Sequence, residues 1–173
     1  MKKNTYRIAL SALICALCII SLLMGSVITF LDLSLCAIAS GIMVFSVIEI
    51  GGFYPWLIWA AVSLLSLLLL PDKFGALVFF LFAGYYPMLK RYIEMLPKFA
   101  YFLKLIIFNL CLSCIIFLSN KILGIPKTEI TFSIPVYLIC NFLFILYDIS
   151  LTRMITFYIF KLRDRLGISK RMH

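Results

Sequence analysis

Charge is what this sequence has least of. Asp, Glu, Lys and Arg make up 13% of its 173 residues, against about a quarter in an ordinary globular domain. A water-soluble fold needs polar groups to cover its outside, and 65% hydrophobic content at this length leaves too few of them. A domain immersed in lipid can expose that apolar surface, in keeping with a mean hydropathy of +1.14. Histidine is almost missing, the single one being His173. No G-x-S-x-G, no H-E-x-x-H and no phosphate-cradling glycine-rich loop occurs. Intramembrane proteolysis by acids would want two aspartates at matching depth, and Asp148 stands alone. The expectation is a protein that is not an enzyme and carries no cofactor. Soluble inserts, low-complexity linkers and repeats are absent too, so residues 1–173 read as one integral membrane domain.

Long apolar runs are plentiful. Roughly 30 Å of hydrocarbon takes about 20 helical residues to cross, and backbone polar groups in lipid must be satisfied internally. Six runs fit and predict an all-α transmembrane bundle: 7–28, 33–50, 53–70, 74–89, 99–118 and 130–150. Short connections make consecutive helices antiparallel neighbours. The opening "MKKNTYRIALSALICALCIISLLMGSVITF" has the cation-then-apolar order of a signal peptide. Its apolar run exceeds the about 7–15 residues of a cleaved one, so an uncleaved first span is expected. From Ile130 to Phe160 the only ionisable residues besides tyrosine and cysteine are Asp148 and Arg153, which is more than one bilayer's worth of helix. Either the span ends near Ile149 and a basic amphipathic segment, 151–173, lies in the interface, or one long helix is tilted. The first option sets Asp148 at the inner boundary and the second near mid-membrane.

The charge that exists is lopsided: sixteen Lys and Arg against seven Asp and Glu, net +9. The cations gather at the ends of apolar runs rather than on one basic face. That points to the bilayer and its anionic lipid as partner, not to nucleic acid. With the N-terminus in the cytoplasm, Lys2, Lys3, Arg7, Lys90, Arg91, Lys98, Lys161 and the basic tail fall inside, and Lys73, Lys121 and Lys127 fall outside. This asymmetry predicts both termini cytoplasmic, in a multi-pass protein of a bacterial inner membrane. In "GYYPMLKRYIE", residues 84–94, Tyr85, Tyr86 and Tyr92 read as rings at headgroup depth. Pro87 reads as a helix end or kink, and Lys90 and Arg91 as cytoplasmic anchors.

Cys15-x-x-Cys18 and Cys111-x-x-Cys114 have the spacing of redox or metal pairs. Both lie inside spans with no histidine or acid nearby, and hydrocarbon disfavours the thiolate such chemistry needs. They read as small packing residues, and no metal site is expected. Glu49, Lys104, Asp148 and Arg153 lie within or at the edge of spans, where charges are costly and paired or functional. They are expected to form an intramembrane ion-pair cluster on the cytoplasmic half, because a proton relay would need a polar path through an outer half that offers only Asn109, Ser113 and Asn141. Asp32, Asp72, Lys73 and Lys121, with Lys127 and Glu129, read as a solvated outer rim or, more sharply, a substrate cup. Small residues four apart, Ala12/Ala16 and Ala37/Gly41, permit close helix approach.

Six short-looped helices opening with "RIALSALICALCII" resemble the membrane-embedded S components of energy-coupling factor vitamin transporters. The match is carried by Ala9-Leu10, Ala12-Leu13 and Ala16. It implies that Ala9, Ala12 and Ala16 form a stripe docking a transmembrane coupling protein with its ATPase subunits, and that a small solute binds from outside. The loop "TFLDLS" is shorter than that family's substrate lid, and the outer halves of the later helices lack its polar and Trp residues. Residues 47–96 also look like small membrane proteins of Gram-positive anaerobic bacteria. Three readings follow. An S-component-like solute binder predicts an outward pocket with converging polar groups. A scaffold that packs against other membrane proteins predicts a filled core. An ion-coupled carrier predicts water reaching Asp148.

Overall fold

The computed structural model describes residues 2–95, 100–122 and 134–162. Nearly all of them are helical, and among the described residues there is no strand. Helix α1 spans Lys2–Val27 and is followed by a 3-10 turn at Thr29–Leu31. Helix α2 spans Asp32–Phe45 and runs on as a π-helical turn, Ser46–Ile50. Helix α3 is Tyr54–Leu69. Helix α4, Lys73–Val78, continues as the π turn Phe79–Ala83. Helix α5 is Tyr86–Ile93, α6 is Ala100–Ile122, and α7 is Ile134–Phe157 with a π turn at Tyr158–Leu162.

Among the described residues, four stretches are long and apolar enough to cross a membrane: Thr5–Val27, Asp32–Ile50, Ala100–Ser119 and Ile134–Lys161. Helix α3 is apolar but only 16 residues long, about 24 Å. The expected helix over 74–89 is divided. A β-carbon on Gly84 would press into the Trp59 and Phe79 rings, and the Gly84 N–H bonds back to Phe79 O at 2.8 Å. The chain turns at 84–85 and restarts with Pro87 in the first turn of α5, where a missing N–H costs nothing. Pro87 therefore opens a helix instead of ending one. The last segment is helical from Ile134 to Leu162, more than 40 Å, with no break near Ile149; the rest of the expected basic segment, 163–173, lies outside the described residues.

Local chemistry sets the corners. Gly51 and Gly52 adopt φ of 61° and 62°, the left-handed region that glycine enters without penalty, and so α2 turns into α3. Lys73 Nζ donates to the Leu67 and Leu70 carbonyls at the end of α3, at 2.7 and 2.5 Å. Asp72 accepts from Phe74 N–H at 3.0 Å and caps α4.

Helix α2 is central: half of its most apolar stretch is buried, against 11% for α7. One core joins Cys18 and Leu22 of α1, Ala39 and Met43 of α2, Val62 of α3 and Phe79. Small side chains let backbones close in: Cys18 Sγ lies 3.5 Å from Ala39 O, and Ser21 Oγ donates to Leu35 O at 2.9 Å. A second core joins Phe82, Tyr86, Phe144 and Leu151. All six cysteines are free thiols.

Candidate functional site: a buried charge cluster on three helices

Helix α5 is built to face one way. Tyr86, Lys90 and Glu94 recur every four residues, so phenol, ammonium and carboxylate line one side of the helix and its C-cap. Opposite them, α7 presents Asp148 and, one turn on, Thr152. Lys104 enters from the second turn of α6.

Asp148 is the hub. Its Oδ1 accepts from Tyr86 Oη at 2.6 Å and from Lys90 Nζ, and its Oδ2 accepts from Lys104 Nζ at 3.1 Å. Lys90 Nζ also donates to the Asp148 carbonyl at 3.0 Å and to Thr152 Oγ1 at 2.7 Å, which uses all three ammonium donors. Glu94 Oε1 bridges the lysines, 2.9 Å from Lys104 and 3.3 Å from Lys90. Two cations and two anions thus sum to zero. Side-chain exposure grades outward, from 1% for Lys90 and 7% for Lys104 through 13% for Asp148 to 44% for Glu94. Charges this deep are tolerable only when paired and saturated with hydrogen bonds.

The cluster is the first rung of a ladder between α6 and α7. Phe108 stacks on Phe144 at 4.4 Å between centroids. Asn109 and Asn141 exchange reciprocal amide hydrogen bonds, both 3.0 Å. Ser113 Oγ and Tyr137 Oη are 2.9 Å apart. The two numbers of each rung sum to 250–252, the mark of an antiparallel pair in constant register. Tyr147 hydrogen-bonds Ser40 and ties α7 to α2.

The expected ionic cluster forms only in part. Lys104 and Asp148 meet. Glu49 lies elsewhere, accepting from Tyr158 Oη at 2.7 Å, ten residues or about 15 Å along α7 from Asp148. Arg153 is exposed and has no ion pair among the described residues. Lys90 and Tyr86, read from sequence as headgroup anchors, are instead among the most deeply buried side chains, while Tyr92 is exposed. The spacing of Tyr86, Lys90 and Glu94 was the signal available for this; the cations beside a proline drew the reading to the interface.

Of the residues read as an outer rim, the described ones, Asp32, Asp72 and Lys73, are taken up by local packing and capping. Asp32 is buried against Gly25 and Gly75, so it is not a solvated loop residue. Asp72 and Lys73 are engaged in helix capping. The Lys121 side chain, Lys127 and Glu129 lie outside the described residues. Ala9, Ala12 and Ala16 are exposed along α1. Two hollows stand out. One is an open groove of about 430 Å³ lined by α6 alone, including Phe102, Asn109 and Ser113. The other is a crevice of about 20 Å³ beside Gly51, Trp56 and Arg91. No protein-family model, curated protein or solved structure matches the chain.

Proposed function

We propose that this chain is a six-crossing membrane protein with both termini cytoplasmic, and that it acts by packing against another membrane protein rather than by catalysis or solute carriage. Helices α4 and α5 together cover residues 73–93, about 30 Å of axial rise, and serve as the fourth crossing. Lys2, Lys3, Arg91 and the basic tail then share one side.

The observation that carries the functional reading is the closed cluster at Asp148. Its donors are saturated by its own acceptors, and neither hollow opens beside it. Ligand sites are enclosed volumes of roughly 300–1,000 Å³ with a few converging polar groups. The groove on α6 has the volume but only one wall, and its Asn109 and Ser113 are committed to α7. A saturated network of this kind supports helix register.

The S-component reading, the first expectation from the sequence, is the second proposal. It draws on the exposed Ala9, Ala12 and Ala16 of α1, a face that fits a helix of a coupling protein. Purification of the tagged full chain in mild detergent, with mass spectrometry of what co-elutes, separates the two. One membrane partner in fixed stoichiometry, lost in the Ala12→Leu/Ala16→Leu variant, supports the packing role. An ATPase-linked coupling protein with a bound small solute shifts the assignment to transport. Recovery of the chain alone from native membranes overturns both.

A further inference from the structure

We infer that the crevice between the α2–α3 corner and α5 is a seat for the phosphate of an anionic phospholipid, held by Arg91 and Tyr92 at the edge of the bilayer. Three elements wall it: Gly51 and Gly52 at the corner, Trp56 in the first turn of α3, and Met88, Arg91 and Tyr92 of α5. Met88 is buried, whereas Arg91 and Tyr92 are exposed. A β-carbon on Gly52 would stand in empty space, with no atom within 4 Å, so the backbone at the corner is open to approach from outside. The site is independent of the packing role proposed above.

Arg91 carries the one charge of this lining. It forms no ion pair among the described residues. Its neighbour Lys90 is spent on Asp148, and Glu94, the next carboxylate along the chain, is engaged by Lys90 and Lys104. No acidic side chain in the lining competes for the guanidinium. A guanidinium presents parallel N–H donors that match the oxygens of a phosphate, and the Tyr92 phenol supplies a further donor. Helix dipoles leave the choice of ligand to these side chains: α3 begins at the crevice while α2 and α5 end there, so their terminal charges offset.

Position and size select the source of the phosphate. The apolar stretch Asp32–Ile50 ends immediately before Gly51, so where α2 crosses the bilayer, in either direction, the crevice opens at headgroup depth. Exposed Phe53 and Tyr92, with Trp56, make the aromatic belt expected there. The crevice holds about 20 Å³, room for one water-sized group. That is too little to enclose a free solute, but it accepts one oxygen of a phosphodiester whose lipid stays in its leaflet. A zwitterionic headgroup would bring an ammonium as well, and the lining has no carboxylate to receive it. A net-negative headgroup such as phosphatidylglycerol fits the lone cation better.

The chain has two tryptophans, so Trp59→Phe leaves the Trp56 indole as the reporter at the crevice. The full chain with this change is reconstituted in phosphatidylcholine. Quenching of Trp56 is then titrated with phosphatidylglycerol brominated on its acyl chains, and separately with brominated phosphatidylcholine. Phosphatidylglycerol is expected to quench preferentially. Arg91→Gln is expected to weaken that preference by about tenfold, the worth of hydrogen bonds to a charged group. Arg153→Gln, which removes an exposed cation outside the crevice, should leave it unchanged. Equal quenching by the two lipids, or an equal loss in both variants, overturns the site. Inorganic phosphate, compared with chloride at equal ionic strength, is expected not to displace the lipid; displacement overturns the lipid assignment in favour of a soluble anion. Should Trp59→Phe not fold, native mass spectrometry of the chain with both tryptophans compares phosphatidylglycerol retention by wild type, Arg91→Gln and Arg153→Gln, and is read the same way.

Discussion

Lys90 shows how much one side chain can depend on its surroundings. At 1% exposure it gives every ammonium proton to α7. Replacing it with methionine keeps the bulk of the stem but leaves Asp148 with Lys104 and Tyr86 alone. Breaking a buried pair from one side costs about 3–5 kcal/mol, so Lys90→Met is expected to lower the unfolding free energy in detergent by that order. The double variant Lys90→Met/Asp148→Leu is expected to recover part of the loss, because no orphaned carboxylate remains at that position. Equal stability of Lys90→Met and wild type in chemical denaturation would count against the buried pair. Glu94 sits at the exposed mouth, where an ion pair contributes about 0–1 kcal/mol. Glu94→Gln is expected to have a correspondingly small effect in the same assay.

The elements carry their own logic. The two faces of helix α5 differ sharply: Tyr86 and Lys90 turn inward, Arg91 and Tyr92 stay outside, and Glu94 at the C-cap meets the cluster from its exposed edge. Helices α6 and α7 form an antiparallel pair whose polar rungs replace the hydrophobic drive that lipid does not supply. Asn141→Leu would leave the Asn109 amide without its partner on α7. It is expected to weaken the α6–α7 pair by about 0.6–2 kcal/mol, read as faster proteolysis of this half in detergent; Asn109→Leu/Asn141→Leu should be milder than either single change. Two π turns meet where Tyr158 bonds Glu49 and its ring meets Phe45 edge-on at 4.8 Å. The extra residue in each turn re-aims a side chain that a regular helix would point elsewhere. At the α2–α3 corner, Gly51→Ala is expected to cost about 1–2 kcal/mol, because its φ of 61° forces an L side chain into the left-handed region.

At the scale of the molecule, two differently packed halves share one centre. Helices α1 to α4 close around α2 through small side chains, whereas α6 and α7 lie at the periphery, much of α7's surface turned outward. Reporter fusions test the proposed arrangement. Enzymatic reporters on either terminus should report a cytoplasmic location, and a fusion after Lys73 the opposite one. A C-terminal reporter active outside the cell would remove one crossing, with α3 or the divided α4–α5 segment as the element that fails to span.

Hydropathy and the placing of charges along the chain were enough for the all-helical architecture and the meeting of Lys104 with Asp148. These depend on local composition and on the high cost of leaving a charge unpaired in an apolar setting, both of which a linear sequence carries. The burial of Lys90 and Asp32, the separation of Glu49 from Asp148 and the restart of the helix at Pro87 were decided by the tertiary structure. Whether a cation at a helix end meets water or a carboxylate depends on which helix stands opposite and in what register. That is fixed by contacts between residues far apart in sequence, as between Lys90 and Thr152, 62 residues apart, and no local pattern specifies it.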